Sequence, residues 1–227
     1  MVISIDELCE QLGINLTTAQ RASPGKVSAE TQFIHYEYNA IPSTKAVAPI
    51  ICERLAGVET AVELGSHAGF RVLYYALNNP QTKFIAVDKN PQATEQLKKR
   101  IKKMRVPNIR LQTIDMYQLQ GNFAAVLAID CFDYTQFPSA VDKLAAATAN
   151  YKFFGRKVDS SRTPSFFCTP FYNAPATGSH NAEMIEYHQR RLKEVNLSHL
   201  EIVPFHFLRL DGTPYTGRML FASPKTL

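Results

Sequence analysis

The residues best suited to chemistry lie where apolar runs end. The run Val58–Leu64 leads into Glu63-Leu64-Gly65-Ser66-His67-Ala68-Gly69, a carboxylate followed by two glycines in a tight turn that lets a ligand approach the backbone closely. The run Lys83–Asp88 ends in an acid 23 residues beyond Gly65. An acidic residue at that distance accepts hydrogen bonds from both ribose hydroxyls of an adenosine. The third run, Ile109–Ile114, ends in Asp115-Met116, able to meet an adenine amine and its ring face. The fourth, Phe123–Ile129, ends in Asp130-Cys131-Phe132-Asp133-Tyr134, beside a reacting centre. Asp130 is the strongest catalytic candidate of these, because a strand-end carboxylate in a cleft is hard to explain as packing.

Elements must place these tips side by side. Ser4 and Glu7 form a capping box ahead of Ile5, Leu8, Cys9 and Leu12 at helical spacing, and Gly13 offers a left-handed stop. Residues 14–42 are less periodic, and Ser43–Ala56 reads as a helix that Pro49 begins or kinks. Strands and helices then alternate: a helix marked by Phe70, Leu73, Tyr74 and Leu77, and one opened by Asn90-Pro91 with Leu97, Ile101 and Met104 on its buried stripe. Further on come a helix over Pro138–Asn150, a fifth strand over Ser165–Thr169 and a helix over Asn181–Val195. Leu200–Leu210 and Arg218–Ala222 read as strands joined by the turn Asp211-Gly212-Thr213-Pro214. Pro204 marks the sixth strand as an edge or a bulge. Between the third and fourth strands the eight residues Asp115–Asn122 are too few for a full crossover helix. The alternation implies an α/β fold: a three-layer sandwich around a seven-stranded, mostly parallel sheet with an antiparallel last strand. Residues 1–42 form an N-terminal helical cap on a domain spanning 43–227.

This pattern resembles the class I, Rossmann-like S-adenosylmethionine-dependent methyltransferases, closely from Ser43 to about Asn150. The resemblance implies S-adenosyl-L-methionine as cofactor and a methyltransferase activity. It implies Glu63, Gly65, Ser66, His67 and Gly69 as the cofactor loop, Asp88 and Lys89 at the ribose, Asp115 and Met116 at the adenine, and Asp130 near the methionine moiety and the acceptor. Asp133 and Tyr134 join Asp130 as catalytic candidates. His67 departs from the family pattern, whose loop often has a second glycine there. A dinucleotide fold wants G-x-G-x-x-G, whereas the positions counted from Gly65 hold His67 and Phe70. No G-K-[ST] exists for a P-loop. After the fifth strand, Cys168-Thr169-Pro170 lacks the carboxylate and amide ligands of metal-dependent relatives, so no catalytic metal is expected.

Composition bounds the rest. The chain has 227 residues, no apolar run long enough to span a bilayer, and acids at Asp6 and Glu7 where a signal peptide would be basic or apolar. Its four cysteines are widely spaced, as in reduced cytosolic proteins, so a cytoplasmic location is expected. Lys and Arg number 25 against 20 acids. Much of that surplus crowds one helix as Lys98, Lys99, Arg100, Lys102, Lys103 and Arg105, which a solvated face explains. The expected acceptor is therefore a small organic molecule held under the cap. RNA tracked by the basic surface is the alternative, and a catalytically silent cofactor-binding or scaffold homologue is the rival from another class.

Overall fold

The computed structural model describes residues 3–14, 29–119, 123–129, 166–173, 199–209 and 212–223, together with 186, 189, 190, 193 and 197. Its strands are β1 (Thr60–Leu64), β2 (Lys83–Asp88), β3 (Ile109–Thr113), β4 (Ala125–Leu127), β5 (Phe166–Asn173), β6 (His199–Leu208) and β7 (Pro214–Ser223). They form one sheet in the order β3-β2-β1-β4-β5-β7-β6. The pairs β3·β2, β2·β1, β1·β4 and β4·β5 are parallel, and β7 runs antiparallel to both its neighbours. The order turns back at β1, beside β4, so the crevice for a ligand opens above the tips of these strands.

Among the described residues one face is covered by the helices α1 (Ile5–Leu12), α2 (Ala29–Leu55), α3 (Phe70–Asn78) and α4 (Pro91–Met104). On that side Leu8, Val47, Ile51, Leu55, Leu73 and Leu97 pack with Ala61, Phe84 and Ala125 of the sheet. The other face presents Val62, Leu64, Val87, Val126, Phe167 and Leu220, with Leu119, Phe123 and Leu197 packed on them. Neighbouring β1 residues thus go to opposite cores, and its Ala61–Leu64 are all buried, as a central parallel strand requires. Among the described residues, no helix is long and apolar enough to cross a membrane.

The expected N-terminal signals are present. Ser4 Oγ accepts from the Glu7 N–H at 3.2 Å, Glu7 accepts from the Ser4 N–H at 2.7 Å, and Gly13 stops α1 at φ 72°. Asn78 ties this segment to the end of α3, its side chain accepting from the Ile3 N–H and donating to the Ile3 carbonyl.

Several boundaries differ from the sequence reading. The helix expected over Ser43–Ala56 begins at Ala29 and runs through both Pro42 and Pro49. An interior proline costs roughly 3 kcal/mol. Against that, Ile41, Val47, Ala48, Ile51 and Leu55 are all fully buried, and each large apolar side chain returns about 1.5–3 kcal/mol. Tertiary packing therefore holds the helix where local propensity would break it. The fifth strand continues past Thr169 to Asn173, through Pro170. Its described ladder with β4 ends at Cys168, so Pro170 has no N–H to supply on that side, while β7 pairs with it on the other. β7 starts at Pro214, inside the expected turn. Between β3 and β4 the described chain makes a single 3-10 turn, Met116–Gln118, in place of a crossover helix. Pro204 does lie on an edge strand. The helix expected over Pro138–Asn150 lies outside the described residues; of that expected over Asn181–Val195, residues 186, 189, 190 and 193 are described and helical.

Candidate active site

The turn after β1 is shaped by three left-handed residues in alternation, Gly65 at φ 65°, His67 at φ 49° and Gly69 at φ 80°. His67 thus occupies a backbone conformation that favours glycine, at a cost of about 1 kcal/mol or more. What holds it there is the neighbouring strand tip. Its N–H donates to Asp88 Oδ2 at 2.8 Å, while Asp88 Oδ1 accepts from the Asn90 N–H, also at 2.8 Å. The Ser66 N–H donates to the Val87 carbonyl at 2.9 Å, so loop and β2 tip are stitched at two successive residues. Asn90 caps α4 in turn, accepting from the Gln92 and Ala93 N–H groups.

Helix α4 also props the loop from beneath. Leu97 fills the space at Gly69, where an added Cβ would stand 2.2 Å from Leu97 Cδ1. Arg100 donates to the Ala68 carbonyl at 2.9 Å. Arg100, expected among the exposed basic residues of this helix, is instead buried, 7% exposed. The signal was available, since position 100 is three residues from Leu97 and four from Met104, on the same stripe. Lys98, Lys99, Lys102, Lys103 and Arg105 are exposed as expected.

A cleft opens above the loop, lined by Ala40 and Thr44 of α2, Glu63, Ser66, His67 and Arg71. Glu63, at 2% exposure, sits low in it. Arg71, in the first turn of α3, is also buried; sequence reasoning passed over it, because one arginine in an apolar helix carries no motif. Its Nε donates to Thr44 Oγ1 at 3.0 Å and its Nη1 to the Ile129 carbonyl at 3.1 Å. Beneath them lies Tyr75, fully enclosed; burial pushes its phenol well above the ordinary range, the Glu63 charge adds to this and Arg71 opposes it.

Asp88, Asp115 and Met116 are half-buried and Lys89 is exposed. The Gln118 N–H donates to the Asp115 carbonyl at 2.8 Å, anchoring the turn that carries Met116. Asp130, Asp133 and Tyr134 lie outside the described residues, although the chain enters Asp130 directly from Ile129. Lys45, near the cleft wall in sequence, is turned to Asp6 at 2.6 Å. Among the described residues, no cluster of three or more metal-ligating side chains occurs.

The donor set fits an adenosyl cofactor. Asp88 sits at the tip of β2 with each oxygen taking one backbone N–H, leaving lone pairs for two hydroxyls. Ser66 Oγ is buried beside the cleft without a hydrogen-bond partner among the described residues, which a polar ligand would supply.

A seven-stranded sheet with this order, a glycine turn after β1 and an acid at the tip of β2 define the class I methyltransferase fold. Residues 58–128 match the family model described as "Putative methyltransferase". The chain is 34% identical over 62 residues to a tRNA (guanine-N(7)-)-methyltransferase of Mycoplasmopsis synoviae (strain 53), a match covering 27% of this chain and 30% of that relative. Among solved structures, magnesium protoporphyrin IX methyltransferase from Synechocystis PCC 6803, with SAM bound, aligns at TM-score 0.57 and 12% identity over 99% of both chains. A protein of Pyrococcus horikoshii described as a putative RNA methyltransferase aligns at TM-score 0.55 and 10% identity over 95% of this chain and 98% of its own. At those identities the likeness is one of fold. The chain thus has the class I methyltransferase fold, and its residues 58–128, which carry the β1 turn and Asp88, are similar to a methyltransferase family.

Proposed function

We propose that the chain transfers the methyl group of S-adenosylmethionine to a nucleotide of RNA. The observation that carries the transfer is the Asp88 carboxylate, held by loop and helix-cap N–H groups with acceptor capacity to spare. When bound, the cofactor supplies an electrophilic methyl group on a sulfonium centre. In this reading Asp88 accepts from the ribose hydroxyls, Asp115 accepts from the adenine amine, and Met116 lies against the ring. The backbone of Gly65–Gly69, Ser66 Oγ and Glu63 meet the amino-acid end. Asp130 orients the acceptor and takes its proton, with Asp133 and Tyr134 as further contacts. Because the displacement is in-line, most of the acceleration comes from positioning.

The RNA acceptor is supported by the name of the tRNA-methylating relative and by the exposed lysines of α4. A small organic acceptor held under the N-terminal helices is the second reading, favoured by the end-to-end match to the magnesium protoporphyrin IX enzyme. Incubation with methyl-labelled S-adenosylmethionine and bulk tRNA separates them. We expect nuclease-sensitive label in the RNA; label confined to a solvent-extractable product of a metabolite extract would establish the second reading. Asp130→Asn should lower turnover about a hundredfold while S-adenosylhomocysteine still binds. Unchanged turnover would remove Asp130 from the chemistry.

A further inference from the structure

Arg71 plays no part in the roles assigned above, yet it is the charged side chain that joins the cleft's walls. It is 8% exposed, and Thr44, which it contacts, is fully buried. A buried guanidinium survives only where hydrogen bonds replace its water, and these two acceptors belong to elements far apart in sequence. Thr44 is on α2, 27 residues before Arg71, and Ile129 is 58 residues after it, two residues past β4. Nε and Nη1 leave the planar guanidinium in different directions, so one rigid group sets the distance between the helix wall and the strand tip. A lysine offers one ammonium at the end of a flexible stem and does not reproduce that geometry.

The consequence concerns catalysis more than cofactor capture. β4 is a strand of three residues, Ala125–Leu127, and Ala128 adds one further bond, its N–H donating to the Cys168 carbonyl at 2.9 Å. Beyond that bond, Arg71 holds the carbonyl of Ile129, the residue that leads directly into Asp130. The glycine loop and Asp88, by contrast, are fixed by β2 and α4 through Val87, Asn90, Leu97 and Arg100, independently of Arg71.

We propose that Arg71 is a positioning residue, which locks the exit of β4 to α2 through Ile129 and Thr44 and so fixes where the chain leaves the sheet. The proposal rests on the methyltransferase reading and deepens it.

The test uses the full chain and two mild variants, Arg71→Lys and Thr44→Val, with Thr44→Ser as the conservative control. Backbone amide hydrogen exchange followed by mass spectrometry reads the strand exit without any acceptor. In Thr44→Val and Arg71→Lys, peptides covering residues 127–132 should exchange about tenfold faster or more, as expected for losing a hydrogen bond to a charged group. Peptides over β2 and the start of α4 should be unchanged, and Thr44→Ser should exchange like wild type. S-adenosylhomocysteine affinity by calorimetry should stay within about threefold of wild type, while kcat on bulk tRNA falls about tenfold with little change in KM. Uniformly faster exchange, or turnover lost only in proportion to cofactor affinity, would reduce Arg71 to a general packing role and overturn the proposal. Failure of the wild-type chain to bind S-adenosylhomocysteine would instead overturn the methyltransferase reading, which the exchange pattern does not test.

Discussion

Gly69 is the residue at which backbone conformation and packing can be separated. At φ 80° it sits where a side chain is strained whatever the space, and Leu97 already fills the position of its missing Cβ. Gly69→Ala should cost about 2–4 kcal/mol, the sum of a left-handed penalty near 1 kcal/mol and an overpacking term. In a Leu97→Ala background the overpacking term disappears, so the added cost should fall to about 1 kcal/mol. Denaturant midpoints of the four proteins in that cycle give the coupling directly, and strict additivity would refute the contact. Asp88 is tested by ligand binding. Two hydrogen bonds to a carboxylate are worth about 1.5–3 kcal/mol each, and its removal also frees the His67 and Asn90 N–H groups. Asp88→Ala should weaken S-adenosylhomocysteine at least about a hundredfold by calorimetry, and retained affinity would remove Asp88 from the ribose site. His67 was visible in the sequence as a departure from the family pattern, but its strain was not. Only the φ angle and the bond to Asp88 show how the loop keeps a glycine's conformation without a glycine.

Elements were legible where their signals are local. The capping box of α1, the Asn90-Pro91 start of α4 and the first three strands all rest on neighbours within a few residues, and each lies within one or two residues of its expected place. Reading failed where a distant partner decides. α2 crosses two prolines because the sheet buries its stripe, β5 runs through Pro170 because β4 is short, and Arg100 turns inward to a loop 32 residues away. Arg71 was missed for the same reason, its acceptors being 27 and 58 residues off. The exposed side of α4 carries its own test. Lys98, Lys99, Lys102 and Lys103 fall on one side of the helix, opposite the buried Ala93, Leu97 and Arg100. Lys98 lies 3.8 Å from Glu95, and Lys103 donates to the Gln11 carbonyl at 2.8 Å, which leaves Lys99 and Lys102 best placed to follow phosphates. Lys99→Glu with Lys102→Glu should reduce the slope of log affinity for tRNA against log salt by about two, at ~0.9 per phosphate contact. S-adenosylhomocysteine binding should be unaffected. An unchanged slope would leave these lysines as a solvated face.

At the scale of the whole molecule, the groups that do not ionise decide how the fold responds to pH. α2 and α3 meet around Cys52, Tyr74 and Tyr75. Burial pushes the Cys52 thiol from its ordinary 9.0 up to about 12, against an opposing hydrogen bond from Asn79. Burial also raises the Tyr74 phenol, and raises Tyr75 further, with Glu63 adding its charge. In each case the folded state holds its proton more tightly than the unfolded chain. Below pH ~9 both states are protonated and the difference contributes nothing against folding. Between ~9 and ~12 the unfolded chain has released the Cys52 proton while the folded chain retains it. The unfolded state then binds fewer protons, and stability falls as pH rises. The tyrosines add to the same slope from ~10 upward. Denaturant midpoints should therefore be level up to pH ~9 and decline steadily from there to ~11, with tyrosinate absorbance from Tyr75 appearing only with unfolding. Cys52→Ala separates the cause. It should lower stability at neutral pH by removing a packed side chain, yet flatten the alkaline slope, because one of the protons released on unfolding is gone. A variant that loses stability equally at all pH values would mean that Cys52 titrates in the fold as it does in water.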